Sequence, residues 1–314
     1  MTHKFNRLLA GVAFGASLLA MDGRAQAGDA DSCKAVRFAD VGWTDIQVIT
    51  GIASIMFDGL GYQSEVKTLS VPVTYASLKN KDIDVFLGNW MPSMTADIKP
   101  YLDDKSVEQL APNLEGAGYG IVVPQYVADA GVKSIADLAA NKDKFNGKFY
   151  GIESGNDGNR IIQTIIADAK NNLAGYELVE SSEAGMLTEA EKAMKNNEWI
   201  MFLGWTPHPI MGDMKIAYLG GVVDYGFGPA TVHTNVRAGY LAECPNAGKL
   251  VSNLKFNLKM EGDMMAPVLK DGKDPKVVAM EWIKANPDSI NAWLEGVTAF
   301  DGSDAKAAVQ KVIQ

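Results

Sequence analysis

The chain has 314 residues, 47% of them hydrophobic, and its 29 basic and 38 acidic side chains leave a formal charge of -9. That balance argues against nucleic acid and anionic membrane surfaces as partners, because both select for basic patches. It is compatible with a cationic ligand, and the length suits two domains.

Residues 1–27 read as a secretory signal. Lys4 and Arg7 precede the apolar run LLAGVAFGASLLAM, and Ala25-Gln26-Ala27 offers a cleavage motif, so cleavage is expected after Ala27. No later segment approaches the roughly 20 uninterrupted apolar residues that a bilayer span needs. The only cysteines, Cys33 and Cys244, are an even pair in an exported chain, which points to a disulfide rather than a metal or redox site. Two buried free thiols are the alternative.

The elements that follow alternate in the α/β manner. A strand at Val36 to Phe38 leads to a helix through ITGIASIMFDGLG, then a strand around Ser64 to Leu69, a helix through TYASLKN and a strand at Val85 to Gly88. After the AGYGIVV run comes a second such set: SIADLAANKDKF, FYGIES, the long amphipathic RIIQTIIADAKNNL, YELVES, EAEKAMKNN and WIMFLGW. HTNVRAGYLAEC reads as an extended crossing. The remainder is mostly helical, with Pro275 and Pro287 near helix starts, where a missing amide donor costs little. Leaving the first domain near Gly118 and returning near Gly226 would give a discontinuous domain of residues 28–118 and 227–314 and a second of residues 119–226. Two strands would then cross between lobes, an arrangement that permits hinge closure about a ligand. One α/β domain with helical additions is the alternative.

Trp43, Trp90, Tyr119 and Trp205 each stand just past or inside a β-like apolar run. In an open α/β sheet the carboxyl ends of strands face the ligand crevice, so these four rings can converge there. Ring faces attract a cation that offers no hydrogen-bond donors, which suits a quaternary ammonium ion. Tyr119, between Gly118 and Gly120, has packing at the crossover as its rival role. Asp45 is either the countercharge or a helix cap, and Asn156 in SGNDGN has the same ambiguity, with Asp157 the neighbour to examine if Asn156 only caps. Trp199, Trp282 and Trp293 read as packing residues. Past the signal only His208 and His233 remain, without HExxH, paired Cys-His spacing, a nucleophile elbow or a complete GxGxxG, so no catalytic or metal site is expected.

ADVGWTD, LGNWMPS, GAGYG, GIESGND and LGWTPHP occur in that order along the chain. In them the sequence resembles the periplasmic substrate-binding proteins of ABC transporters that take quaternary amines, choline in particular, over essentially the whole length after the signal. The resemblance implies a two-lobed α/β periplasmic binding protein fold, type II-like, with the ligand in the inter-domain cleft. It implies an aromatic box of Trp43, Trp90, Tyr119 and Trp205, with Asp45 near the ammonium and Asn156 at the choline hydroxyl. It further implies a monomer in the periplasm, without cofactor or catalysis, that delivers its cargo to a permease in the inner membrane. The rival readings are a glycine betaine or proline betaine binder, which would need donors for a carboxylate that Asp45 would repel, a choline-processing enzyme, and a sensor.

Overall fold

Strand β1 (Ala35–Asp40) opens the sheet in a computed structural model that describes Met1 and residues 28–313. The expected signal segment lies outside the described residues. The other strands are β2 (Gln63–Thr68), β3 (Val85–Met91), β4 (Val107–Pro124), β5 (Lys148–Tyr150), β6 (Glu177–Val179), β7 (Phe202–Thr206), β8 (Ile216–Tyr218) and β9 (Gly228–Arg237). They form one sheet in the order β2-β1-β3-β9-β4-β7-β5-β6, with β8 paired to β4. β1 runs parallel to β2 and β3, and β5 runs parallel to β6 and β7. Two parallel groups therefore flank the antiparallel pair β4–β9, which carries the chain from one to the other and back.

Each group obeys the same physics. A parallel strand needs a crossover, and here helices provide it: α1 (Thr44–Gly59) after β1, α2 (Val71–Lys79) after β2, α3 (Thr95–Asp103) after β3, then α4 (Gln125–Asp129), α5 (Asp157–Ala167) and α6 (Glu183–Lys195) in the second half. β3 is buried along VFLGNW because it lies between β1 and β9 with both faces covered. Helix α1 is buried on nearly every side, since helices Leu258–Asp271, Pro275–Ala285 and Ala305–Ile313 all pack on it. The helical last third thus completes the first half of the sheet.

Several expected boundaries move, each for a local reason. SIADLAANKDKF forms two 3-10 segments, Ile135–Asp137, opened by a capping box between Ser134 and Asp137, and Ala139–Phe145, which ends where Asn146 turns left-handed. The helix begun at Asp157 ends at Ala167, where Asp168 turns its carboxylate onto the Lys170 amide and Asn172 goes left-handed. β3 continues past Gly88 to Met91, so Trp90 lies on the strand itself. The WIMFLGW strand begins only at Phe202, leaving Trp199 to pack on Phe145. The HTNVRAGYLAEC crossing is strand only to Arg237 and turns helical at Tyr240–Glu243.

Cys33 and Cys244 form a disulfide, with Cα atoms 5.6 Å apart across 211 residues of sequence. Beside it lies a buried ion cluster. Asp84 accepts from Arg37 Nε and Nη2, both at 2.8 Å, and from Arg237 Nε at 2.7 Å, while Arg237 Nη1 reaches Glu243 at 2.6 Å. Burial pushes the Asp84 carboxyl upward, but the hydrogen bonds from Arg37 and Arg237 outweigh it and hold the group below the usual carboxylate range.

Candidate functional site

The site begins where β1 ends. Asp40 Oδ1 accepts from the Gly42 amide at 2.7 Å, and Gly42 takes φ +86°, a left-handed turn that suits a residue without a Cβ. The next residue, Trp43, starts α1, and Asp45 follows in its first turn. In the second half β5 leads in the same way to α5, whose first turn begins with Asp157. Trp90 comes from β3, while Tyr119 on β4 and Trp205 on β7 are direct antiparallel partners.

These elements surround a small cavity lined by Trp43, Asp45, Trp90, Tyr119, Ile152, Asp157 and Trp205. All four expected rings meet there, though they are up to 162 positions apart in the chain (205 minus 43). Tyr119 stands between Trp90, at 5.9 Å between centroids, and Trp205, at 6.3 Å and edge-on. Phe227 backs it at 5.1 Å, so the Tyr119 ring is held by packing as well as facing the cavity. Gly158 lies against the Tyr119 hydroxyl so closely that any Cβ there would overlap it.

The polar groups of the cavity are unusual in what they lack. Asp45 is 1% exposed, and among the described residues neither of its oxygens makes a hydrogen bond of normal geometry, although the Trp90 side chain lies close enough to favour its ionised form. Burial first, and the nearby Glu183 second, push its carboxyl up to about 8. Asp157, also 1% exposed, has no partner of normal geometry for Oδ2 among the described residues; burial above all raises its carboxyl to about 7, with the nearby Ser93 side chain opposing that shift. The Trp205 indole N–H is unpartnered too. Buried polar atoms are normally paired, and leaving a charge unpaired in an apolar enclosure is costly. A cation placed among these carboxyls supplies the missing partner. Among the described residues no lysine, arginine or histidine lines the cavity.

Asp45 takes no part in capping α1: the N-cap residue is Trp43, and no side chain of that turn caps it. Asn156 sits one residue outside the cavity lining. Its Oδ1 caps α5 through the Gly158 and Asn159 amides at 2.7 and 3.2 Å and accepts from Tyr119 Oη at 3.2 Å, while Nδ2 donates to Asp157 Oδ1 at 3.2 Å. Asp157, the neighbour, is the residue on the cavity. Ile152 also lines the cavity and is not among the residues expected from sequence, although it is the second residue of the same GIESGND segment.

Around the lining lies a second ring of acids. Glu153 accepts from Trp43 Nε1, and buried Glu183 accepts from Thr44. His208 Nδ1 accepts from the Ile210 amide, which leaves its Nε2 proton to donate to Glu183 Oε1 at 3.0 Å. The His208 ring meets Trp205 edge-on at 4.7 Å. On helix Leu258–Asp271, Glu261 is 1% exposed with Oε1 unpartnered, and burial followed by the nearby Asp45 raises its carboxyl well above the usual range. Among the described residues no group of three or more His, Cys, Asp or Glu side chains is arranged to hold a metal ion.

Comparison with known proteins adds four findings. A family model described as the substrate binding domain of ABC-type glycine betaine transport system matches residues 34–285. A solved ABC-transporter choline binding protein in complex with choline is 52% identical, with a TM-score of 0.89 over 91% of this chain and 100% of that one. A solved glycine betaine/L-proline-binding protein (ProX) from Borrelia burgdorferi is 25% identical, with a TM-score of 0.80 over 88% of this chain and 99% of that one. The glycine betaine/carnitine transport binding protein GbuC of Listeria monocytogenes serotype 1/2a (strain 10403S) is 31% identical over 176 residues, 55% of this chain and 58% of that protein. The α/β arrangement expected from the sequence is the fold these binding proteins share.

Proposed function

The chain belongs to the family of substrate-binding domains of ABC-type glycine betaine transport systems, and from that premise we propose that it captures choline and hands it to the permease of an importer. It works as an exported, periplasmic monomer, freed of its signal near Ala27, and does not transform its ligand. The observation that carries this reading is a cavity of four aromatic rings and two carboxyls with partnerless oxygens and no basic side chain.

Trp43, Trp90, Tyr119 and Trp205 take the trimethylammonium end, with Asp45 as countercharge. The hydroxyl end lies at the start of α5, where Asp157 Oδ2 accepts it and Asn156, one residue back, holds Asp157 in place. The halves formed by residues 28–118 with 227–314 and by residues 119–226 close on the ligand through β4 and β9.

A second reading, glycine betaine or proline betaine, has the family model's description in its favour. Electrostatics weigh against it. Helix N-termini favour anions, yet the two that point here each carry a buried aspartate in the first turn, and a bound trimethylammonium favours the ionised forms of both, so a betaine's carboxylate then meets like charge. Each desolvated cation-aromatic contact contributes on the order of 2 kcal/mol. Choline's seven or so heavy atoms cap binding near roughly 10 kcal/mol, or tens of nanomolar.

Calorimetry of the exported form against choline, acetylcholine, glycine betaine and proline betaine tests the proposal. Choline is expected to bind most tightly of choline and the betaines, and to be recovered unchanged. A betaine that binds more tightly, or turnover of choline or its esters, overturns it.

A further inference from the structure

Helix α1 lacks a cap of its own. Its N-cap residue is Trp43, a side chain that cannot accept from the first free amides as Ser, Thr, Asp or Asn would. The acceptor comes instead from the opposite half of the sheet. Glu183, the first residue of α6, takes the Thr44 amide on Oε2 at 2.8 Å and the Thr44 hydroxyl on Oε1 at 2.9 Å, and His208 Nε2 steadies Oε1 at 3.0 Å. Glu153 grips the preceding residue, accepting from Trp43 Nε1 at 3.0 and 3.1 Å.

Other bonds join the same two halves. Arg160 reaches Ser93 O at 2.9 Å and Asp97 at 2.6 Å, and Lys270 pairs with Asp213 at 2.7 Å. Lys270 and Asp213 are exposed and Arg160 is only partly covered, so water screens these pairs. Thr44, Glu183 and His208 are all buried, which makes their bonds the ones that water does not replace while the halves stay together. Thr44 lies between Trp43 and Asp45 in sequence, so whatever fixes it fixes a wall of the box and its carboxyl together.

We infer that Glu183 is a positioning residue for ligand retention: it caps α1 from across the cleft, latching the Trp43-Thr44-Asp45 turn over the bound cation without touching it. This rests on the reading of the cavity as the choline site. When the halves part, Thr44 and Glu183 return to water. The latch therefore slows escape and leaves capture unchanged.

Stopped-flow fluorescence on the full exported chain tests this with Glu183→Asp, which keeps the charge but shortens the reach, and Thr44→Val, which removes the hydroxyl. Each is expected to raise the choline dissociation rate about tenfold, equivalent to about 1.4 kcal/mol. The association rate should stay within about twofold and the Tm of the ligand-free protein should not move. Acetylcholine should show the same factor, because the latch touches no ligand. Wild-type dissociation in both variants overturns the inference, as does a matching loss of ligand-free Tm. So does a Glu183→Gln variant that dissociates fast while Glu183→Asp does not, since the carboxylate would then act only as a charge beside Asp45. If the wild type prefers glycine betaine, the functional reading fails on that result alone. The same rate comparison run with betaine still decides the latch.

Discussion

Asp84 and Asp45 are equally buried, at 2% and 1% exposed, and both belong to the first half of the sheet. Asp84 sits between Arg37 and Arg237, and its carboxyl lies below the usual range; Asp45 has no partner, and its carboxyl rises to about 8. The residue type is the same and the burial is the same. What differs is whether the protein itself provides the cation. Where it does, the aspartate ties strands together, and where it does not, the site is left in want of a cation from outside.

The largest effect should come from breaking the satisfied member. Asp84→Ala leaves the Arg37 and Arg237 guanidinium groups facing each other without their shared carboxylate; breaking a fully buried pair costs about 3–5 kcal/mol, and the partial exposure of Arg37 puts the loss at the lower end of that range. At roughly 2–4 °C per kcal/mol for a chain of this size, Tm should fall by about 10 °C, while choline affinity of the folded protein stays as in the wild type. Calorimetric melting and titration of one preparation check both halves of the claim. The depressed carboxyl also gives the sign of its pH dependence. Its stabilisation is present above the ordinary aspartate range and is lost on acidification below it.

Next come the walls of the unsatisfied site. Trp43→Ala, Trp90→Ala and Trp205→Ala should each weaken choline by about 1–3 kcal/mol through lost cation attraction and apolar contact. Trp293→Ala, in the core against Phe256 and Trp282, should lower Tm and leave the affinity of folded protein alone. Unchanged affinity in the first three would remove the rings from the ligand. Gly158→Ala, by displacing the Tyr119 hydroxyl, should mimic a ring deletion of intermediate size.

A smaller effect concerns protons. In the ligand-free cavity Asp157 and Asp45 hold their protons up to about 7 and about 8, and a bound cation favours their ionised forms. Choline affinity should therefore rise with pH from about 6 to about 8, by up to about tenfold per unit for each proton released. Titrations in buffers of different ionisation enthalpy would count those protons. A flat profile would mean that neither carboxyl faces the ammonium.

The smallest effect separates the two aspartates by sign. A carboxyl raised on folding stabilises the protein most below its unfolded pKa and loses that contribution as pH climbs through the folded one. Asp45→Asn should thus raise the ligand-free Tm at pH 8 by about 2–4 °C, the shift that about 1 kcal/mol produces, and at the same time weaken choline and narrow its discrimination against glycine betaine. Asp84→Asn should lower Tm. Equal signs would dissolve the contrast between the clusters.

Much of this was readable in one dimension, because strand and helix periods are local and a residue at the end of a strand is placed by its immediate neighbours. The alternating elements and the rings just past or inside β-like runs follow from such patterns, and the pairing of Cys33 with Cys244 from their being the only two cysteines of a chain read as exported. Asn156 and Asp157 show where that legibility stops: both begin the same helix, and only the packed angle of α5 turns one to the cap and the other to the cavity. Glu153 and Glu183 lie further beyond it. Their partners Trp43 and Thr44 are 110 and 139 residues away, and no spacing rule links them. The sequence by itself determined which side chains were available to hold a cation. Tertiary structure alone decided which acids would be neutralised by arginine and which would be buried without a partner, because desolvation and long-range pairing exist only once the two halves of the sheet come together.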